Sequence, residues 1–317
     1  MARKTVMRWR LYASYFFDYA IIVVLIVASG VIGLLEPHYS AFSLEDKSLQ
    51  YPLLEQTVTS GTLAAVALIA PAAIMAAWTL LLDKYLYPNV PAQRRLWELN
   101  CALLGLGLSI MLTLLITSSI KNIVGRPRPD AIARCMPRAG ATDPPFMLST
   151  VADVCTNPDK AVVMEGWRSF PSGHSSTAFA GLAYLAFFLG GRVRVLDNRG
   201  EVWKAALTLA PLLLAVVIAC TRIMDKWHHG TDVLAGSLLG LATAWVAYRQ
   251  YYPSLADVDK AGRAWDLRSW GSVRADYVPS SAASSMLGYD QLDEEAQVEG
   301  SYAGSRRRTP GLLDGAE

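Results

Sequence analysis

The sequence predicts an all-α, polytopic membrane protein in which six transmembrane helices form a bundle. Its 317 residues are 53% hydrophobic. Charged residues make up only 18%, against about 25% in an ordinary soluble domain. Six runs of 16 residues or more lack Asp, Glu, Lys and Arg. These lengths are close to the 20 or so apolar residues that a helix needs to cross roughly 30 Å of hydrocarbon. The runs comprise residues 19–35, 57–82, 101–120, 169–191, 205–221 and 233–248.

The first and last runs need separate justification. The first follows four basic residues, a layout that is also compatible with a secretory signal cleaved near Ala28, Ser29 and Gly30. Its length, and the five runs that follow it, favour a membrane span. The last run, residues 233–248, is short for a span unless Arg249 extends its side chain to the membrane interface. Six spans remain the simplest interpretation.

The distribution of Lys and Arg predicts which side of the membrane each loop faces. The N-terminus and the loops after the second and fourth spans are basic, which places both termini in the cytosol. The opposite face carries seven cations between residues 121 and 168, an exception to the positive-inside rule that suggests a role in holding an anion. We therefore expect a cytosolic N-terminus (1–18), a six-span domain (19–252) with an outer loop at 121–170, and a disordered cytosolic tail (253–317).

Composition also excludes several classes of protein and site. A net charge of +2, without a basic face that interleaves aromatic residues, argues against nucleic-acid binding. The four cysteines lack Cys-x-x-Cys spacing, which excludes a zinc ribbon and a thioredoxin-type motif. Cys135 and Cys155 lie in the same outer loop, where a lumenal environment would allow a disulfide. The sequence predicts no metal site and no cofactor.

Three segments with reactive side chains lie at membrane-proximal ends on the cationic face. They are KNIVGRPRP from Lys121, PSGH from Pro171 and TRIMDKWHHGTD from Thr221. A span that exits, one that enters and another that exits must share one face, whichever way the protein is oriented. The segments contain three cations, two histidines and an aspartate: Lys121, Arg128, Arg222, His174, His228 and Asp232.

This set of side chains suits phosphoryl transfer, in which fixed cations stabilise the charge on the phosphoryl oxygens without a metal. The Ser172 hydroxyl and the Gly173 amide, at the start of a helix, can donate further hydrogen bonds to phosphate. Asp232, four residues after His228, could fix the tautomer of its ring and leave one nitrogen free to attack phosphorus. His174 would then protonate the leaving oxygen, and water would hydrolyse the phosphohistidine.

Structural roles are expected for three other polar residues near the motifs. Arg126 and Asp130 flank the first motif and could contact phosphate, although a loop salt bridge or a solvated charge is the expected role. His229 points away from its neighbour His228 on a helix and is interpreted as structural.

The three motifs, at residues 121–129, 171–174 and 222–232, resemble the signatures of the type 2 phosphatidic acid phosphatases, the lipid phosphate phosphatase superfamily. The third signature of that family begins with Ser, where this chain has Thr221, so a hydroxyl group is retained. The segment FSLEDKSLQYP, residues 42–52, resembles eukaryotic members and especially the fungal diacylglycerol pyrophosphate phosphatases.

The resemblance implies a magnesium-independent hydrolase, without a cofactor, acting on phosphatidate, lysophosphatidate or diacylglycerol pyrophosphate in the bilayer. It implies a vacuolar, endoplasmic-reticulum or plasma-membrane location, with the active site lumenal or extracellular. It also implies residue roles: His228 as the nucleophile, Asp232 as its orienter, His174 as the acid, and Lys121, Arg128, Ser172, Gly173 and Arg222 as phosphate ligands.

Other functions remain open at this point. The same site could transfer phosphate to a lipid or sugar hydroxyl, or hydrolyse polyprenyl or sphingoid phosphates. A non-enzymatic anion or lipid transporter could also use cations to bind phosphate, although it would not need two histidines and an aspartate. The sequence does not indicate which lipid is preferred or what the oligomeric state is.

Overall fold

The computed structural model describes residues 2–257 and 260–265, and this part of the chain is helical apart from its loops. Extended pairing within these ranges is limited to two isolated β-bridges, between Phe42 and Ser149 and between Pro137 and Cys155. The helices are α1 (Ala2–Leu34), α2 (Ser60–Leu86), α3 (Ala92–Val124), α4 (Ala131–Cys135), α5 (Val151–Val154), α6 (Lys160–Gly166), α7 (Gly173–Arg192), α8 (Val202–Met224) and α9 (Gly230–Tyr251), with a short 3-10 helix at Lys47–Leu49.

Five of these helices are long and apolar enough to cross a membrane, which confirms an all-α, multi-pass membrane protein. They include Tyr15–Leu34 of α1 and the whole of α2, α3, α8 and α9. The predicted fourth span corresponds to α7, whose 20 residues make about 30 Å of helix, enough to cross a bilayer. Its polar first turn lowers its hydropathy, so the count of six spans stays a prediction.

Helix α7 lies at the centre of the bundle because its small residues let other helices approach closely. It packs against α2, α3, α8 and α9. A Cβ atom at Gly181 would lie 1.8 Å from the carbonyl oxygen of Ala67 in α2, so only glycine fits this contact. The hydroxyl of Ser109 in α3 donates to the carbonyl oxygen of Ala180 at 2.9 Å. A backbone carbonyl of α7 therefore satisfies a polar side chain of the neighbouring α3.

The loops at one end of the bundle fold into a small cap. This is the end at which α3 and α8 stop and α7 and α9 begin, and we call it the motif end. Trp167 is fully buried there, and its indole N–H donates to the carbonyl oxygen of Ser40 at 2.9 Å. A buried apolar cluster joins the two outer loops: Phe42, Leu49, Ala131, Cys135, Val154, Val163 and Trp167.

A disulfide joins Cys135 to Cys155 within this cap, with the two Cα atoms 4.7 Å apart. It links the end of α4 to the residue that follows α5, across a sequence separation of 20. Both sulfurs lie in the part of the outer loop that packs on the motif end. The bond therefore restrains the loop that carries the first motif.

We expect Cys135→Ala or Cys155→Ala to lower the thermal stability of the cap, because a cross-link of this length restricts the unfolded chain. The loop-closure estimate for a loop of 20 residues is about 3 kcal/mol. The measurement is thermal unfolding in detergent, with Cys220→Ala, an exposed free cysteine, as the matched control. Alkylation of both thiols in the unreduced protein would show that the bond is absent.

The opposite end of the bundle is held by buried ion pairs. Arg192, the last residue of α7, binds Asp83 of α2 at 2.9 Å and Glu98 of α3 at 3.0 Å. Each of these three side chains is less than a tenth exposed. One guanidinium group therefore fixes the ends of three helices, and the motif end lies at the other end of α7.

The described part of the predicted tail lies against this opposite end. The backbone N–H of Ala264 donates to Glu98 at 3.0 Å, and its carbonyl oxygen accepts from Arg94 at 3.0 Å. Two buried charges of α3 thus bind the backbone of Ala264, a residue within the disordered tail predicted for 253–317. Apart from residues 253–257 and 260–265, that tail lies outside the described residues.

Candidate active site

The first motif is placed by the end of helix α3. Lys121 lies in the last turn, and the chain leaves the helix through Gly125, whose φ of +56° is in the left-handed region. A Cβ atom at Gly125 would lie 1.6 Å from the carbonyl oxygen of His38, so the position requires glycine. This turn directs the following Arg-Pro-Arg-Pro segment across the motif end.

Asp232 joins the three motif segments, through its carboxylate and its backbone carbonyl oxygen. Its carboxylate oxygens accept hydrogen bonds from Arg126 at 2.6 Å and from the Ser169 hydroxyl at 2.5 Å. The backbone N–H of His229 donates to it at 3.0 Å, and the His229 ring nitrogen Nδ1 lies 3.3 Å from it. The backbone N–H of Ser172 donates to the Asp232 carbonyl oxygen at 3.0 Å. Asp232 is completely buried, so these bonds are shielded from water.

His228 lies between α8 and α9 with 4% of its surface exposed. Its Nδ1 atom is 3.9 Å from Oδ2 of Asp232, longer than a hydrogen bond, and has no hydrogen-bond partner among the described residues. Burial lowers the pKa of the His228 imidazole well below its usual 6.5, and the charges of Arg128 and Lys121 act in the same direction. The ring is therefore neutral at physiological pH, as a nucleophile must be.

The cations of the first motif lie beside it. Arg128 is 2% exposed, and its guanidinium carbon lies 4.8 Å from the centre of the Trp227 ring. One of its nitrogens donates to Glu165, but Nε and Nη1 are buried without a hydrogen-bond partner among the residues that the structure describes. Lys121 donates to the carbonyl oxygen of Arg168. Arg128 thus has unused donors in a buried position.

The second motif forms the start of α7. The Ser172 hydroxyl is buried and caps the helix by accepting from the N–H of Ser175 at 3.4 Å. A Cβ atom at Gly173 would lie 3.6 Å from Cε of Lys121, which places the helix start next to that lysine. Nε2 of His174 lies 3.1 Å from the carbonyl oxygen of Val58. Because a carbonyl oxygen only accepts, this nitrogen carries a proton and Nδ1 is left for proton transfer.

The cation of the third motif is held by its own ion pair. Arg222 is completely buried and binds Asp225 at 2.9 Å. Asp225 also accepts from the backbone N–H and the hydroxyl of Thr57, so this pair anchors the first outer loop. The Thr221 hydroxyl, which stands where the family signature has a serine hydroxyl, accepts from Nε of Arg222 at 3.2 Å. The charges of Arg222, Arg128 and Lys121 are all close enough to act on the His174 ring.

The structure therefore brings the predicted residues to one end of the bundle but changes the partners of Asp232. The predicted hydrogen bond between Asp232 and the His228 ring does not form, since Nδ1 of His228 lies 3.9 Å from the carboxylate. The carboxylate oxygens instead accept from Arg126, Ser169 and His229. Sequence reasoning missed Arg126 and Ser169 as partners of this aspartate. For Arg126 a salt bridge was the expected role, but its partner could not be named, whereas nothing marked Ser169.

Over residues 2–257 and 260–265, no group of three or more His, Cys, Asp or Glu side chains could hold a metal ion. The polar groups near His228 are mainly cations and hydroxyls, which suit an anionic ligand.

Comparison with known proteins identifies the family. Residues 102–255 match the family described as the PAP2 superfamily. Lipid phosphate phosphatase 2 of Arabidopsis thaliana is 36% identical to this chain over 284 residues, which cover 88% of this chain and 91% of that protein. The chain belongs to the PAP2 superfamily. All three motifs lie within the matched residues, and the PAP2 relatives are named phosphatases, so the protein is a phosphatase.

Two fungal PAP2 relatives carry a more specific name. Probable diacylglycerol pyrophosphate phosphatase 1 of Schizosaccharomyces pombe is 35% identical, over 78% of this chain and 84% of that protein. Diacylglycerol pyrophosphate phosphatase 1 of Saccharomyces cerevisiae is 32% identical, over 79% and 82%. A crystal structure of a transmembrane PAP2-type phosphatidylglycerolphosphate phosphatase from Bacillus subtilis aligns over 77% of this chain and 95% of that chain. Its TM-score is 0.35 at 19% identity.

The close contact between α7 and α9 gives a testable requirement of this PAP2 site. A Cβ atom at Gly236 in α9 would lie 2.5 Å from the carbonyl oxygen of Ser172, inside the second motif. We expect Gly236→Ala to destabilise the protein by about 1–3 kcal/mol and to lower kcat, because the start of α7 must move. Thermal unfolding and turnover in detergent measure both effects.

Gly33→Ala in α1 is the matched control for this substitution, because no heavy atom lies within 4 Å of the added Cβ. A Gly236→Ala variant with the stability and turnover of the Gly33→Ala control would contradict the packing argument.

Proposed function

We propose that this PAP2 phosphatase removes the terminal phosphate from membrane lipids, with phosphatidate, lysophosphatidate and diacylglycerol pyrophosphate as its substrates. The observation that carries the proposal is Asp232, whose carboxylate and backbone carbonyl oxygen together link the three motif segments at one end of a membrane-spanning bundle. The names of the Arabidopsis and fungal relatives support a lipid phosphate as the substrate class.

The first proposed step is covalent. A ring nitrogen of His228 attacks phosphorus, the bond from phosphorus to the lipid oxygen breaks, and a phosphohistidine forms. Nδ1 faces Asp232 at 3.9 Å, so Nε2 is the attacking atom. The ring becomes cationic when it is phosphorylated, and the buried Asp232 carboxylate stabilises that charge.

His174 moves the proton in both steps. In its protonated form it donates the Nδ1 proton to the lipid oxygen as that oxygen leaves, while Nε2 stays bound to the Val58 carbonyl oxygen. The neutral ring then accepts a proton from the water that attacks the phosphohistidine. Inorganic phosphate leaves, His228 returns to its neutral form, and His174 is protonated again.

Fixed donors stabilise the phosphoryl group in this proposal. Lys121, Arg128 and Arg222 supply positive charge, and the unused Nε and Nη1 donors of Arg128 are suited to phosphate oxygens. The Ser172 hydroxyl and the Gly173 amide add donors at the start of α7. Because these groups supply the charge that a metal would, we propose that the reaction is independent of magnesium.

The proposed orientation places the motif end in a lumen or outside the cell. The opposite end carries Lys84 at the end of α2, Arg94 and Arg95 at the start of α3, Arg192 at the end of α7 and Arg194 just after it, which favours the cytosolic side. The membrane would be that of the vacuole or the endoplasmic reticulum, or the plasma membrane. The proposed phosphatase domain spans residues 19–252, between a cytosolic N-terminus (1–18) and a cytosolic tail (253–317).

The test is a turnover panel in mixed detergent micelles at fixed surface concentration, with EDTA present. The panel contains the three proposed substrates, a sphingoid phosphate and a polyprenyl pyrophosphate. We expect phosphate release from the glycerolipids. Phosphate appearing on an added lipid or sugar hydroxyl would indicate a transferase. Loss of activity in EDTA would contradict magnesium independence, and no release from any lipid would contradict the proposal.

A further inference from the structure

The carboxylate of Glu165, at the end of the short helix α6, lies among the cations that are proposed to bind phosphate. One nitrogen of Arg128 donates to its Oε1 atom. Burial alone would raise the pKa of Glu165, but the charges of Arg128 and Lys121 outweigh it and hold the pKa below its usual 4.5. Glu165 is therefore an anion at physiological pH.

This carboxylate satisfies only part of the hydrogen-bonding capacity of Arg128. A guanidinium group has five N–H donors in a planar fork. Within the described residues, the buried Nε and Nη1 atoms of Arg128 have no partner, although Nη2 binds Glu165. A phosphoryl group offers three oxygens and a greater charge. Each edge of the fork that presents two donors includes Nη2, so phosphate that binds Arg128 through two donors takes the place of the Glu165 carboxylate on that nitrogen.

Arg128 is also held in place without Glu165. Its backbone N–H donates to the carbonyl oxygen of Gly166 at 2.8 Å, and its guanidinium group packs on the Trp227 ring at 4.8 Å. Arg134 contacts the same Trp227 ring, with its guanidinium carbon 4.6 Å from the ring centre. The side chain of Glu165 is 40% exposed, against 3% for Arg128, so the carboxylate has a route to solvent.

We infer that Glu165 is a tethered competitor of phosphate, which pairs with Arg128 when no phosphate is bound and moves to solvent when the substrate arrives. The inference rests on the proposed function in taking Arg128 as a phosphate ligand. Its consequence is a lower affinity for every phosphate species at this site, including the product. A carboxylate that returns to Arg128 as phosphate leaves also favours product release.

The test compares Glu165→Gln with the wild-type protein, using inorganic phosphate as the probe. We expect the KM for phosphatidate and the inhibition constant of phosphate each to fall about tenfold, the effect of roughly one charge-assisted hydrogen bond. The kcat should stay the same, or fall if product release becomes limiting. Glu45→Gln is the matched control, because Glu45 is an exposed glutamate in the outer loop of the same end.

A positioning role for Glu165 predicts the reverse result. If the carboxylate were needed to hold Arg128, then Glu165→Gln would raise the KM and the inhibition constant, and an unchanged or raised value overturns the inference. Glu165→Asp keeps the charge on a shorter side chain, and should give values between wild type and Glu165→Gln. If the Gln variant does not fold, an aspartate variant with wild-type or weaker phosphate affinity overturns the inference.

The phosphate affinity is also measured without turnover, from the concentration of inorganic phosphate that raises the thermal unfolding temperature. This separates the two proposals. A wild-type protein that hydrolyses no lipid contradicts the proposed function, while the comparison of phosphate affinities still decides the role of Glu165. A wild-type protein that hydrolyses phosphatidate, with unchanged affinity in Glu165→Gln, contradicts the inference alone.

Discussion

Replacing His228 with alanine should lower the turnover of phosphatidate on the order of 10³–10⁵-fold and remove the phosphoenzyme, because no other group supplies the attacking nitrogen. The structure provides a buried and neutral imidazole at this position, since burial lowers its pKa well below 6.5. The attacking form therefore persists at pH values at which an ordinary histidine would be protonated. The measurements are steady-state release of phosphate and acid-labile labelling of the protein under rapid quench.

Two controls separate this role from a loss of structure. His38→Ala removes an exposed histidine from the loop before α2, on the same end of the bundle, and should leave turnover unchanged. Free imidazole, supplied to the His228→Ala variant, should restore part of the turnover if the truncated side chain leaves room for it. A His228→Ala variant that keeps its turnover or its phosphoenzyme would falsify the assignment of the nucleophile.

The architecture of the motif end could be predicted from the chain because it depends on the order of the spans and the positions of charges. Span parity alone places the ends of α3 and α8 and the starts of α7 and α9 together. Composition made the last span, residues 233–248, the marginal one, yet α9 is among the helices that are long and apolar enough to cross a membrane. Helix α7 begins with a polar turn, in which the Ser176 hydroxyl lies 3.0 Å from that of Thr117 in α3.

Contacts between distant segments could not be predicted from spacing. The interval from His228 to Asp232 suggested a hydrogen bond across one helical turn, but α9 begins only at Gly230. The two residues therefore straddle a helix start, and the carboxylate instead accepts from Arg126 and Ser169. The pairing of Glu165 with Arg128 depends in the same way on how the cap folds, which no local pattern records.

The segment beyond α9 was assigned to a disordered tail from its polar composition. Composition measures the apolar area that a segment can bury, but the buried Ala264 is also held by backbone hydrogen bonds. Ala264 provides both a donor to Glu98 and an acceptor for Arg94, and neither bond depends on its side chain. Hydrogen bonds made by the backbone in this way cannot be predicted from hydropathy or from motif spacing.

Asp232→Asn should give the second large effect, a loss of turnover of roughly 10²–10⁴-fold together with a lower unfolding temperature. The carboxylate receives donors from three directions: the Arg126 guanidinium, the Ser169 hydroxyl and the His229 N–H. An asparagine has only one oxygen, so its amide nitrogen must face a donor. Arg126 lies on one carboxylate oxygen and the His229 N–H on the other, and neither group can accept a hydrogen bond. In either orientation of the amide a buried donor therefore faces another donor, which is costly.

The matched control is Asp143→Asn, in the cap. Its carboxylate also has three donors, the hydroxyls of Ser43 and Ser149 and the N–H of Leu44, but no cation. Hydroxyl groups can rotate and accept from an amide, so this variant should keep its turnover and most of its stability. The contrast tests whether the effect at Asp232 comes from the position of the carboxylate and its charge rather than from the chemistry of the substitution.

The double variant Asp232→Asn with Arg126→Gln distinguishes the two contributions of Asp232. Removing the unpaired guanidinium group should recover part of the unfolding temperature, because Gln can both donate to and accept from the new amide. Turnover should stay low, since a neutral amide cannot stabilise the positive charge that forms on His228 as phosphorus is attacked. If turnover recovers in step with stability, then Asp232 acts only by holding the motif segments together, and the electrostatic role proposed for it is wrong.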